Sequence, residues 1–151
     1  MIKIICVGKI KEKYFVDAIK EYQKRISKYT SIEIVEVIDE GSNDVKVILK
    51  REKERILNHL DKKSHFILLD LDGKQMTSEE FSKTINNTLI YNSNIVFIVG
   101  GSYGVDEEIK KMANFTISFS KMTFPHQLFR VILLEQIYRA YKIMNNESYH
   151  K

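Results

Sequence analysis

The chain has 151 residues, 44% of them apolar, which allows a real hydrophobic core and argues against a disordered chain. No apolar run approaches the ~20 residues that a bilayer-spanning helix requires, and the opening MIKIICVG is too short for a secretory signal and lacks a small-residue cleavage site. A lone Cys6 cannot form a disulfide within the chain, so it reads as a small core residue in a reducing, cytoplasmic setting.

In chain order, apolar β-branched runs alternate with helical patterns. Ile2–Val7 reads as a strand and Glu12–Lys28 as an amphipathic helix with Phe15, Ala18, Ile19, Tyr22 and Ile26 on its inner face. Ile32–Ile38 reads as a strand, Val45–Leu60 as a highly charged helix and Phe66–Leu71 as an apolar strand ending at Asp72-Gly73. Thr77 and Glu80 have the spacing of a capping box for a helix reaching about Leu89. Ile95–Val99 is a strand apolar on both faces that runs into Gly100-Gly101, and a short helix over Val105–Ala113 follows. Phe115–Phe119 alternates apolar and polar as a half-buried strand does. The only proline, Pro125, places a loop over Ser120–His126 before a helix that starts at Gln127. That last helix is apolar on nearly every face (Leu128, Phe129, Val131, Ile132, Leu133, Leu134), and a helix of this kind needs cover from two sides. In so small a chain, a second copy is the expected cover.

Strands alternating with helices imply an α/β fold with a largely parallel sheet, here a single domain over residues 1–151. Ligands of such sheets gather at the carboxyl ends of the strands. The loops there are Asp70–Gly73, Gly100–Gly104 and Ser120–His126. The sequence Gly100-Gly101-Ser102-Tyr103-Gly104 permits close approach to the backbone, but it is neither GxGxxG nor a P-loop, so dinucleotide and triphosphate binding find little support. His59, His65, His126 and His150 are scattered and the one cysteine makes no thiolate cluster, so no metal is expected. Ser102 lies outside a GxSxG elbow. The formal net charge is +4, and residues 1–30 carry +5 against −1 for the remainder. Lys9, Lys11, Lys13, Lys20, Lys24, Arg25 and Lys28, interleaved with Tyr14, Tyr22 and Tyr29, read either as a solvated helix face or as a phosphate-contacting patch.

The segments VGGSYG, SFSKMTFPHQLFRVILLEQIYRAYKI and the terminal SYHK, with IICVGKIKEKY at the start, resemble the small knotted methyltransferases of the SPOUT class. Within that class the match is to the family that methylates N3 of a pseudouridine in the 23S RNA of the large ribosomal subunit. A shorter Ile38–Val45 connection is the one departure, in a surface loop. The resemblance implies a C-terminal trefoil knot, S-adenosylmethionine as cofactor, ribosomal RNA as substrate and a homodimer. Position by position, it assigns cofactor contacts to Leu69, Gly100, Phe119, Ser120, Lys121, Met122, Thr123 and Phe124. It also brings Tyr149 and His150 near the partner's cofactor loop, with Arg139 as a third catalytic candidate. His150 would be the base for the weakly acidic imide, and His126 would stabilise the helix start. Arg130 and Arg139 could contact RNA phosphate or the imide oxygens, while an ion pair with Glu135 is the structural alternative for Arg139. A knotted methyltransferase acting on another RNA, or a non-catalytic RNA- or nucleotide-binding α/β module, are the rival functions.

Overall fold

Each run of β-branched residues in the chain forms a strand, and each amphipathic run a helix, in the computed structural model, which describes residues 1–151. The order is β1 (Ile2–Val7), α1 (Lys13–Ile26), β2 (Ile32–Val37), α2 (Val45–Leu57), β3 (His65–Lys74), α3 (Ser78–Tyr91), β4 (Ile95–Val99), α4 (Glu107–Met112), β5 (Phe115–Ile117) and α5 (His126–Met144). The five strands form one sheet in the order β2-β1-β4-β3-β5, and every neighbouring pair is parallel. Parallel strands need covered faces. Here α1, α3 and α5 pack on one face, against Ile4, Cys6, Ile67, Phe97 and Ile117. Residues of α2 and α4 close the other face, over Ile5, Val7, Leu68, Val96 and Ile98. β4 lies at the centre and is buried along its whole length.

β2 stops one residue short of its expected span, and β3 and β5 differ from theirs more widely, for one shared reason. β3 continues to Lys74 because Ile117 pairs with both Leu69 and Lys74, so residues 70–73 bow out and β5 runs beside the arch. A Cβ at Gly73 would lie 2.5 Å from the Ile117 carbonyl carbon, and this contact explains the glycine. β5 ends at Ile117 because the Ser118 N–H donates to the Lys74 carbonyl (3.1 Å) and the Ser118 hydroxyl turns to the Ser120 carbonyl (2.9 Å). The expected strand pairing at Ser118 and Phe119 is absent.

α5 packs between α1 and α3, where Leu133, Leu134, Ile137 and Ala140 are wholly buried. Leu134 therefore needs no second copy to cover it, contrary to the expectation from its sequence. Leu128 remains 38% exposed, and Val131 and Ile132 are half-buried. No helix is long and apolar enough to cross a membrane.

Candidate functional site

The carboxyl ends of β4, β3 and β5 lie side by side, so the three loops that leave them converge. They enclose a cavity of about 480 Å³. Leu69 forms its floor at the last paired residue of β3, with Val99 and Ile117 beside it. Gly100–Gly104 forms one wall. There the Gly104 N–H donates to the Gly101 carbonyl at 3.1 Å and Gly104 takes φ +77°, so the turn is a tight glycine hairpin. Gly100 is required for a related reason, since its Cβ would sit 2.7 Å from the Gly104 carbonyl oxygen and 2.8 Å from Val105 Cγ1. The opposite wall is the loop after β5. Phe119 anchors it, edge-on to Phe81 (5.8 Å between ring centroids) and tilted against Phe129 (5.3 Å), while Phe124 stacks on Phe129 at 6.2 Å.

Of the expected cofactor residues, Leu69, Gly100, Phe119, Ser120, Met122, Thr123 and Phe124 line this cavity. Lys121 is exposed and does not line it. Asp70 and Asp72, on the arch of β3, stand at the cavity with Tyr103, His126 and Phe129. Met122 is 74% and Tyr103 59% exposed, so apolar surface rims the mouth. No group of His, Cys, Asp and Glu is placed to hold a metal ion.

Tyr149, His150 and Arg139 come together, but none of them lines the cavity formed by their own chain. Arg139 is ion-paired to Glu135 within α5 at 2.6 Å, the structural alternative named from the sequence. The Tyr149 hydroxyl donates to the same carboxylate at 3.1 Å, and its ring lies under the Arg139 guanidinium at 4.7 Å. Burial, then Glu135, raises the Tyr149 pKa, which keeps it a phenol. Arginine has no acceptor, so the 3.1 Å contact from Arg139 Nη1 makes His150 Nδ1 the acceptor, and Nε2–H donates to Glu79 Oε1 at 2.8 Å. Both ring nitrogens are engaged. Glu147, which accepts from the Tyr29 hydroxyl and from Lys142, pins the tail before it reaches Tyr149.

Arg130, considered from the sequence for RNA or imide contact, is engaged within the fold. It is 3% exposed, ion-paired to Glu36 at 2.8 Å, and donates to the carbonyls of Val7 (2.9 Å) and Gly8 (2.8 Å). Two cations of the basic helix are likewise engaged, Lys13 with Asp17 and Arg25 with Glu21. Sequence reasoning passed over Glu52, a buried acid on α2. The signal was present: Ile48, Glu52 and Ile56 fall at i, i+4 and i+8, an acid on an apolar stripe.

The parallel sheet, the bowed arch beside β5 and the loop-lined cavity define an α/β protein with its ligand site at the carboxyl ends of the strands, and the comparisons supply the class. The family model described as "Predicted SPOUT methyltransferase" matches residues 1–150, and the chain belongs to that family. It is 47% identical over 154 residues to the ribosomal RNA large subunit methyltransferase H of Caldicellulosiruptor saccharolyticus, covering 100% of each chain. It is 53% identical over 157 residues to the enzyme of the same name in Clostridium botulinum strain Kyoto, covering 99% of each. Among solved structures, "a probable methylase family protein from Haemophilus influenzae Rd KW20" shares the fold with a TM-score of 0.59. It is 14% identical, and the match covers 99% of this chain and 70% of that one.

Proposed function

We propose that this chain is a single-domain enzyme that transfers a methyl group from S-adenosylmethionine to N3 of a pseudouridine in 23S ribosomal RNA, acting as a homodimer. The observation that carries the reading is the cavity at the ends of β3, β4 and β5, taken with full-length relatives named as large-subunit ribosomal RNA methyltransferases. Its residues fit the cofactor. Apolar walls from Leu69, Ile117, Phe119 and Phe124 suit an uncharged adenosyl group, and Lys110 is the only cation among them, so there is no phosphate cradle. Asp70 and Asp72 suit the positive sulfonium and amine at the other end. When bound, the cofactor supplies an electrophilic methyl, which leaves the protein to position the RNA and accept a proton. The family match supports the trefoil knot.

The dimer reading rests on the exposed Leu128 and Met122 and on the ordered tail. In that dimer, Tyr149, His150 and Arg139 complete the partner's cavity and hold the RNA base in place. Mass spectrometry of ribosomal RNA nucleosides from a deletion strain tests the substrate. Loss of N3-methylpseudouridine is expected, whereas loss of a different modified nucleoside would move the enzyme to another RNA. Calorimetry that detected no S-adenosylmethionine binding would favour a non-catalytic RNA-binding module.

A further inference from the structure

A second cavity, of about 250 Å³, shares Gly101, Ser102, Tyr103 and His126 with the first. It lies over the ends of β1 and β2 and differs in chemistry. Lys9 and Lys11 stand on the loop after β1, Glu52 comes from α2, and Gln127 and Arg130 come from α5. Glu52 is 5% exposed; its Oε2 accepts the Glu40 N–H at 3.0 Å, while Oε1 receives no hydrogen bond from the chain. Burial raises its pKa. The imidazole of His126, an exposed residue, makes no hydrogen bond within the chain. The surrounding walls and the nearby Arg130 lower its pKa, so a neutral imidazole faces both cavities.

We infer that the second cavity receives the base to be methylated, that Glu52 reads the ring N–H by which pseudouridine differs from uridine, and that His126 accepts the proton lost from N3. This rests on the methyltransferase reading above. Pseudouridine is joined to ribose through carbon, so its N1–H remains free, whereas uridine spends N1 on the glycosidic bond. A carboxylate is an acceptor only, and one that lines a cavity with an oxygen free of partners can receive a ligand that brings a donor. A base lacking that donor leaves Glu52 desolvated and unpaired, the situation in which polar sites discriminate most strongly. Lys9 and Lys11 are placed to meet the flanking phosphates. In the transfer, the nitrogen pair at N3 forms the new N–C bond, the C–S bond breaks with its electrons going to sulfur, and the N3 proton passes to the imidazole and then to solvent. His150 is unsuited to that step, because Arg139 and Glu79 occupy both its nitrogens.

The test uses the full-length enzyme with large subunits from strains that either contain or lack the target pseudouridine, so that the site carries pseudouridine or uridine. In Glu52→Leu, which removes the acceptor, the preference for pseudouridine should shrink by about 10-fold or more. In His126→Ala, kcat should fall by about 10²–10⁴-fold and recover in part with added imidazole, which replaces a proton acceptor but not a packing contact. Calorimetric affinity for S-adenosylmethionine should stay within a few-fold in both variants. His126→Asn is measured in parallel, in case the alanine variant unfolds. Full preference in Glu52→Leu, or turnover retained in His126→Ala and His126→Asn, overturns the role given to that residue. Activity lost together with cofactor affinity, without imidazole rescue, would make His126 part of the cofactor wall. Failure of the wild-type chain to bind S-adenosylmethionine would instead remove the underlying function.

Discussion

Burial acts on ionisable side chains here in ways that can be measured one residue at a time. Cys6 is fully buried in β1, and desolvation pushes its thiol pKa up to about 12, so almost no thiolate exists near neutral pH. Iodoacetamide should leave Cys6 unmodified in the native protein and alkylate it promptly in denaturant; rapid native labelling would show that β1 opens. Glu52 carries a cost of the same kind. Its folded pKa lies above the ordinary 4.5, so the folded state holds that proton more tightly than the unfolded chain does. The associated stability is complete at pH below 4.5 and is lost as pH rises through the raised value. Glu52→Gln should therefore melt at a higher temperature than wild type near neutral pH, with the difference closing below the ordinary glutamate range. Equal melting temperatures at both ends would mean that Glu52 is not strained. Gly100 shows why a substitution must be designed from contacts. From the sequence it read as a glycine making room for the adenosyl group. A Cβ there would instead strike the Gly104 carbonyl, so a valine would damage the loop as well as binding.

Among the elements, those with strong local signals were legible in the sequence. β4 matches its expected span, and the Thr77–Glu80 capping box is present in both directions, at 3.1 Å and 2.7 Å. Those signals are written within a few residues of where they act. The length of β3 and the early end of β5 were not legible, because Ile117 lies more than forty positions from the Leu69 and Lys74 that it pairs with. Arg130 was hidden in the same way: α5 gives no hint that its partners are Val7, Gly8 and Glu36 on β1 and β2. Arg130→Ala should destabilise the protein by about 3 kcal/mol in urea unfolding, since it strands two carbonyls and a carboxylate. A loss below about 0.5 kcal/mol, the range of ordinary surface changes, would return Arg130 to a role outside the fold. Thr77→Ala, by contrast, removes a single cap and should cost about 1 kcal/mol.

At the scale of the whole molecule, two parts of the proposed function can be tested: where RNA is gripped, and whether two chains share one site. With Lys13 and Arg25 paired inside α1, Lys9, Lys11, Lys20, Lys24 and Lys28 of the basic patch remain without an ion-pair partner, and of these Lys9 and Lys11 stand at the second cavity. Replacing each with Gln should lower the salt slope of log affinity by about 0.7–0.9, more than the same change at Lys13. The tail poses the sharper question. Tyr149 and His150 are locked by Glu135, Arg139 and Glu79 onto the outer side of α5 and α3, and their own cavity lies elsewhere. A locked tail with no access to its own cavity has catalytic value only if a second chain brings a cavity to it. Sedimentation should therefore show a dimer at micromolar concentration. Deleting Ser148–Lys151 should cost no more stability than surface changes do, within about 0.5 kcal/mol. Methyl transfer should nevertheless fall by roughly 10²–10⁴-fold, as when a positioning or acid–base group is lost. Mixing tail-less chains with chains whose cofactor loop is disabled by Gly100→Val should restore activity, because each heterodimer pairs one intact cavity with the other chain's intact tail. A heterodimer as inactive as its parents would place the tail's action within its own subunit and require it to leave the Glu79–Arg139 lock. Full activity in the truncated homodimer would remove Tyr149 and His150 from the reaction altogether.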